Sequence, residues 1–241
     1  MEIALAPEPV FKVGELIITN TMITSVLVVV LLTAAAAVYR SVLSVTSPGR
    51  YQSLVEWALT FVLNLCEQAA GRALGRRIFP LVATFFIFIL TANWLGLLPG
   101  SHFVKVVNFE GHEVPLFRAA NSDLNMTAAM ALVAVGTVQV LGVVSRGFGG
   151  YLKELLTPVY LAPIHLIGEV SRVISLSGRL FGNIFGGEVL MLLMYTLVPY
   201  VVPAVFLGLE VLFGFIQALI FTVLTVVYIT LAAAPEHREA V

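Results

Sequence analysis

The chain has 241 residues, 59% of them hydrophobic and 11% charged, with a formal net charge of -1 and a mean hydropathy of +1.00. A soluble domain carries about 25% charged residues, so too few charges remain here to solvate a globule of this size, and most of the surface must face lipid. The balance offers nothing to nucleic acid, and a single cysteine, Cys66, excludes an intrachain disulfide framework and a multi-cysteine metal cluster.

The opening stretch, 1–15, is acidic and contains proline. It lacks the basic start of a secretory signal peptide, so no cleavage is expected and the first apolar run is itself expected to span the membrane. A span needs about 20 mostly apolar residues. Residues 17–38 meet that length with no charge inside. Residues 40–77 mix Leu54, Trp57, Ala58, Phe61, Val62 and Leu65 with Arg50, Glu56, Glu67 and Arg72. The apolar set approximates one helical face, which predicts an amphipathic helix over about 50–75, lying at the membrane interface. Residues 78–98 form the second predicted span, interrupted by Thr84, Thr91 and Asn93 and ending at Pro99-Gly100. The polar stretch 101–121 reads as a loop, and 124–144 as the third span. Two longer apolar stretches follow, 158–197 and 203–234, joined by the turn-like Val198-Pro199-Tyr200. Length beyond the hydrocarbon thickness is taken up by tilt, so they predict a tilted helical hairpin. The expected fold is a single all-α integral membrane domain over 1–241, with five membrane-spanning helices and one interfacial helix.

Basic loop residues set the orientation. Arg40, Arg50, Arg72, Arg76 and Arg77 cluster between the first two spans. The N-terminal tail has only Lys12, and the 101–121 loop only Lys105 and Arg118. Arg146 and Lys153 follow the third span, and Arg238 lies in the C-terminal tail. The consistent solution is N-terminus outside and C-terminus inside.

Ionisable residues within a span are costly and mark functional sites by default. The first three spans have none in their apolar cores, whereas the fourth holds His165, Glu169, Arg172, Arg179 and Glu188, together with Asn183, and the fifth Glu210 and Gln217. At 100° per residue, His165, Glu169, Arg172, Arg179 and Asn183 share a stripe roughly 80° wide. Glu188 falls on roughly the opposite face, and Glu210 and Gln217 share a face of the fifth helix. Arg179 lies about 21 Å along the axis from His165 and about 14 Å from Glu188. This pattern suits two offset aqueous paths of half depth, an outer one with Glu188 and Glu210 and an inner one with His165 and Glu169. Asn93, Asp123 and Asn125, at the ends of the second and third spans, are further polar candidates for the outer path. Arg179 cannot deprotonate, but it can hold a carboxylate anionic and block leakage between the paths. Bland readings compete at each position. Arg172 and Glu169 could simply pair with one another, His165 could donate a hydrogen bond near the interface, and Gln217 could join helices. Gly178 and Gly182 form a small-xxx-small pair suited to helix packing.

These residues also resemble a family. Ser175-Leu-Ser-Gly-Arg-Leu-Phe-Gly-Asn-Ile-Phe-Gly-Gly-Glu188 is similar to the signature of subunit a of F-type ATP synthases, S-L-x-x-R-L-F-x-N-x-x-A/G-G-E/H. The stretch from Gln217-Ala-Leu-Ile-Phe through Tyr228 resembles that family's Q-A-x-I/V-F-x-x-L-x-x-x-Y, and weaker matches are Asn93-Trp-Leu-Gly-Leu-Leu-Pro99 and Asp123-Leu-Asn-Met-Thr127. The resemblance implies a proton-translocating stator subunit of a bacterial plasma membrane, its last two helices facing a ring of small c subunits. Peripheral-stalk b-type subunits are the other implied partners. Arg179 matches the essential stator arginine, Asn183 the asparagine one turn along, and Gln217 the glutamine packed near the arginine. Glu188 and Glu210 match two outer-path positions filled by Glu and His in various combinations, here both Glu. His165 falls where many members have Glu. The coupling ion, proton or sodium, is set by the partner ring. No cofactor or metal is implied, and no phosphate-binding GxxxxGK[ST] is present, so the chain is not expected to be an enzyme by itself. A secondary transporter or ion channel with an intramembrane Arg/Glu site is the alternative, and it predicts related halves or helices broken at mid-membrane.

Overall fold

The computed structural model describes residues 7–44, 47–98, 104–108, 111–150, 162–198 and 202–233. The expected span ends at Pro99-Gly100, Pro158 and Ala234, the turn residues Pro199 and Tyr200, and Lys153 and Arg238 lie outside the described residues.

A β-hairpin comes first, β1 (Pro9–Val13) antiparallel to β2 (Leu16–Thr19). It turns at Gly14, whose φ of 65° only glycine adopts freely. Phe11 pairs with Ile18 and Lys12 with Ile17, so the first span does not begin at 17. Thr19 ends the strand and caps the helix by accepting from the Met22 amide at 3.4 Å. Helix α1 then runs Asn20–Val42, with Val26, Val29 and Val30 turned outward as lipid-facing residues.

Helix α2 (Arg50–Gly96) merges the expected interfacial helix and second span. It breaks at Gly71, where φ 76° and ψ 162° leave the helical region. The arm before Gly71 folds back on the arm after it. A Cβ on Gly75 would lie 2.8 Å from the Cys66 carbonyl oxygen, and the Phe61 ring meets Phe86 with centroids 6.1 Å apart. The arm's expected single apolar face is in fact two. Val62 and Cys66 enter the core, while Leu54 and Trp57 stay exposed. Tyr51 ties the arm's start to α1 by donating to the Ala35 carbonyl at 2.9 Å.

The stretch expected as loop contains a second short hairpin, β3 (Lys105–Val107) with β4 (Glu113–Pro115). A 3₁₀ turn at Ala120–Ser122 leads into α3 (Leu124–Arg146), whose N-cap is Asp123. The long hairpin follows as α4 (Ala162–Leu197) and α5 (Val202–Ala233). Among the described residues these five helices, α1–α5, are long and apolar enough to cross a membrane, so the chain is an all-α integral membrane protein, the two hairpins being short additions.

Phe85 of α2 packs on Phe221 of α5, centroids 5.5 Å apart, and Phe86 meets Phe215 edge-on at 6.0 Å. Buried Ala131 and Ala134 of α3 and Ala218 of α5 let the helix backbones approach, as small residues do where lipid gives no hydrophobic drive. Helix α4 is the least covered, and of its side chains only Leu176, Ser177, Leu180 and Met191 are buried. One end of the bundle gathers buried polar groups. Thr21 of α1 donates to Asp123 at 3.0 Å, and Asn121 donates to Asn93 of α2 at 2.7 Å. Asn93 in turn donates to the Gly214 carbonyl of α5 at 3.0 Å. The starts of α1 and α3 therefore share this end with the finish of α2, which meets the first half of α5.

Candidate functional site

At that end α4 and α5 close on a cavity of about 280 Å³. Its walls include Asn93, Asn183, Gly187, Glu188 and Glu210, and it has room for several waters. Glu210 reaches it from α5 because residue 187 is glycine. A Cβ there would lie 2.6 Å from Glu210 Oε1. Glu188 reaches it from α4. Oxygen Oε1 of each carboxylate is buried without a hydrogen-bond partner among the described residues. Burying a polar atom without a partner costs free energy.

The other oxygen of Glu188 is held. Arg118 Nε donates to Glu188 Oε2 at 3.0 Å, with the two side chains only 10% and 17% exposed. The Arg118 guanidinium also lies over the Phe185 ring, 5.8 Å from its centroid. Sequence reading treats Arg118 only as a loop charge.

At the opposite end of α4, Glu169 accepts from Arg172 at 2.6 Å and from Gln139 of α3. Arg172 lies over the Tyr228 ring of α5, 5.1 Å from its centroid. The local Arg172–Glu169 pairing considered above is therefore formed, with an additional partner in Gln139. His165 is exposed one turn earlier.

Arg179 stands between the two clusters, ten residues from Glu169 and nine from Glu188, or about 15 Å and about 14 Å along the axis. It is exposed, and its hydrogen bond is to Ser175 Oγ at 3.3 Å. Among the described residues no carboxylate pairs with it. On the same helix, a Cβ on Gly178, Gly182 or Gly186 would meet nothing within 4 Å. Arg179 thus lies on an open surface beside a stripe of glycines.

The other candidates divide. Asn183 and Asn93 line the cavity. Gln217 is buried in the core of α5, outside the cavity walls. Asp123 caps α3 through the Asn125 amide at 2.8 Å and accepts from Thr21, while the Asn125 side chain is exposed. Neither residue belongs to the cavity walls.

Over residues 20–230 the chain matches the family described as ATP synthase A chain. It is 34% identical over 224 residues to ATP synthase subunit a of Moorella thermoacetica, covering 92% of this chain and 94% of that protein. It is 36% identical over 216 residues to ATP synthase subunit a 1 of Syntrophotalea carbinolica, covering 88% and 84%. Against ATP synthase subunit a of Mycobacterium tuberculosis the identity is 34% over 232 residues, covering 94% and 91%.

Proposed function

The chain belongs to the ATP synthase A chain family, and from that premise we propose that it is the proton-conducting stator of the membrane sector, carrying two offset half-channels separated by Arg179. One observation carries this reading. A cation without a carboxylate partner among the described residues stands on an open face of α4, midway between a cavity with two carboxylates and the Glu169–Arg172 pair.

A proton enters the cavity from outside, passes between Glu188 and Glu210, and neutralises a carboxylate of the facing c-ring. The neutral carboxyl then moves into lipid, where a charged one is penalised. After nearly a full turn it meets the inner path near Glu169 and His165 and gives up its proton. Arg179 favours that anion and keeps the two paths from joining. Each proton supplies about 2.3 kcal/mol per 100 mV. The open glycine stripe suits a helix of the ring at close range. The chain performs no covalent chemistry of its own, and a b-type peripheral stalk holds it against the turning ring. A transporter built on broken helices fits less well. The break at Gly71 falls in α2, away from the charged helices, while α4 and α5 run unbroken.

Mild detergent extraction tests this reading. The chain is expected to co-purify with a small, two-helix, carboxylate-bearing subunit in a large complex. Its recovery as a lone, homogeneous protein from native membranes would point to the channel alternative.

The proposed setting is a bacterial plasma membrane, N-terminus outside and C-terminus inside. In a Cys66→Ser background, Leu5→Cys should react with an impermeant thiol reagent applied outside, and Arg238→Cys only with the reagent applied inside. Reaction of both from one side refutes the five-span path.

A further inference from the structure

Arg118 sits in the segment between β4 and the 3₁₀ turn, and that segment is fixed on several sides. Gly96 of α2 approaches so closely that a Cβ there would lie 2.4 Å from the Ala119 Cβ. Asn121 anchors the next turn to Asn93, and Asn93 to Gly214 of α5. Arg118 itself is 8% exposed and takes Glu188 Oε2 at 3.0 Å. With one oxygen fixed, Glu188 has its second oxygen buried and unpartnered. The unpartnered Oε1 of Glu210 lies against Gly187, the neighbour of Glu188 in the chain, and all three residues line the same cavity. Asn183 and Asn93, the polar side chains that complete the walls, carry no charge.

We propose that Arg118 is a positioning residue of the outer proton path: by holding Glu188 through Oε2 it fixes that carboxylate in the cavity wall it shares with Glu210, so that the two carboxylates work as one relay. This rests on the outer-path reading of Glu188 and Glu210. A guanidinium suits the task, because it stays charged and its planar fork fixes the carboxylate's rotation as well as its place. In lipid-embedded surroundings a Glu188 without it has no fixed rotamer.

The test uses the whole ATP synthase in proteoliposomes, with ATP synthesis driven by an acid–base jump and rates normalised to assembled complex. The pH on the side of the outer path, the vesicle lumen when ADP is supplied in the medium, is varied at fixed medium pH and potential. Arg118→Gln is expected to lower the maximal rate about 10- to 100-fold, the scale of a misplaced reacting group, and to move the dependence on lumenal pH. A purely structural role leaves that pH dependence in place. In the double variant Arg118→Gln/Glu188→Gln the rate should equal that of Glu188→Gln alone, since the carboxylate that Arg118 positions is then already gone. The double variant also removes the buried unpaired carboxylate, so it decides the matter if Arg118→Gln does not assemble. Losses that multiply, a parental rate and pH profile in Arg118→Gln, or failure of both variants to assemble would each overturn the proposal. Arg179→Ala in the same assay separates the two levels. If it still synthesises ATP the stator reading fails. If it is inactive while Arg118→Gln is normal, only the role of Arg118 fails.

Discussion

Replacing Arg179 with Ala should abolish both ATP-driven proton pumping and proton-driven ATP synthesis, while the chain still inserts and assembles. The two halves of this expectation have separate physical origins. Among the described residues Arg179 donates only to Ser175, at 3.3 Å, and neutralises no carboxylate. Its removal therefore strands no buried charge, which is the usual cause of a large stability loss. Function is another matter. In the proposed mechanism, loss of the cation leaves nothing to offset the desolvation of a ring carboxylate on this face and nothing to separate the two paths. Arg179→Lys should also fail, because an ammonium lacks the fork geometry and sheds its proton when desolvated. Pumping is read by quenching of a pH-sensitive dye in inverted vesicles, and assembly by immunoblot of the purified complex. Near-parental pumping by assembled Arg179→Ala complexes contradicts the account.

Glu188→Gln and Glu210→Gln should slow proton flow by about 100-fold, the low end of what a positioned proton-transfer group contributes, without changing the number of protons moved per ATP. Each substitution keeps the side chain's size and removes the group that exchanges a proton. The variants should differ in stability. Glu210 makes no ion pair among the described residues, so Glu210→Gln should assemble normally. Glu188→Gln removes the carboxylate that Arg118 meets at 3.0 Å, and weakening a buried pair lowers stability. Less assembled complex is expected for it. Parental proton flow in the double Gln variant would remove both residues from the path.

Much of this was legible in the sequence because membranes write long signals. Apolar runs of span length stand out, and an arginine in the middle of one is conspicuous. The bend at Gly71 was not legible. A glycine between two helical patterns gives no sign that the chain reverses there, so one amphipathic helix and one span looked separate. The N-terminal hairpin escaped because Ile17 and Ile18 suit a strand and a span start equally well. Arg118 escaped for a topological reason. Its partner Glu188 lies 70 residues away, and a charge in a polar stretch invites a reading about orientation only. Gln139 did leave a signal, as a polar amide inside an otherwise apolar run, and it holds Glu169 in place. Asp123 was legible as an acid at a helix start, and the structure uses it as a cap and as a tie to Thr21 rather than as a cavity wall.

The central claim is that two separate aqueous paths meet the ring on either side of Arg179. Silver-ion sensitivity of single-cysteine variants in a Cys66→Ser background tests it most directly. Glu188→Cys and Glu210→Cys complexes should lose their residual proton flow when silver is applied from outside and keep it when silver is applied from inside. His165→Cys should show the reverse. If silver from one side silences all three, there is a single continuous channel, and Arg179 does not divide it.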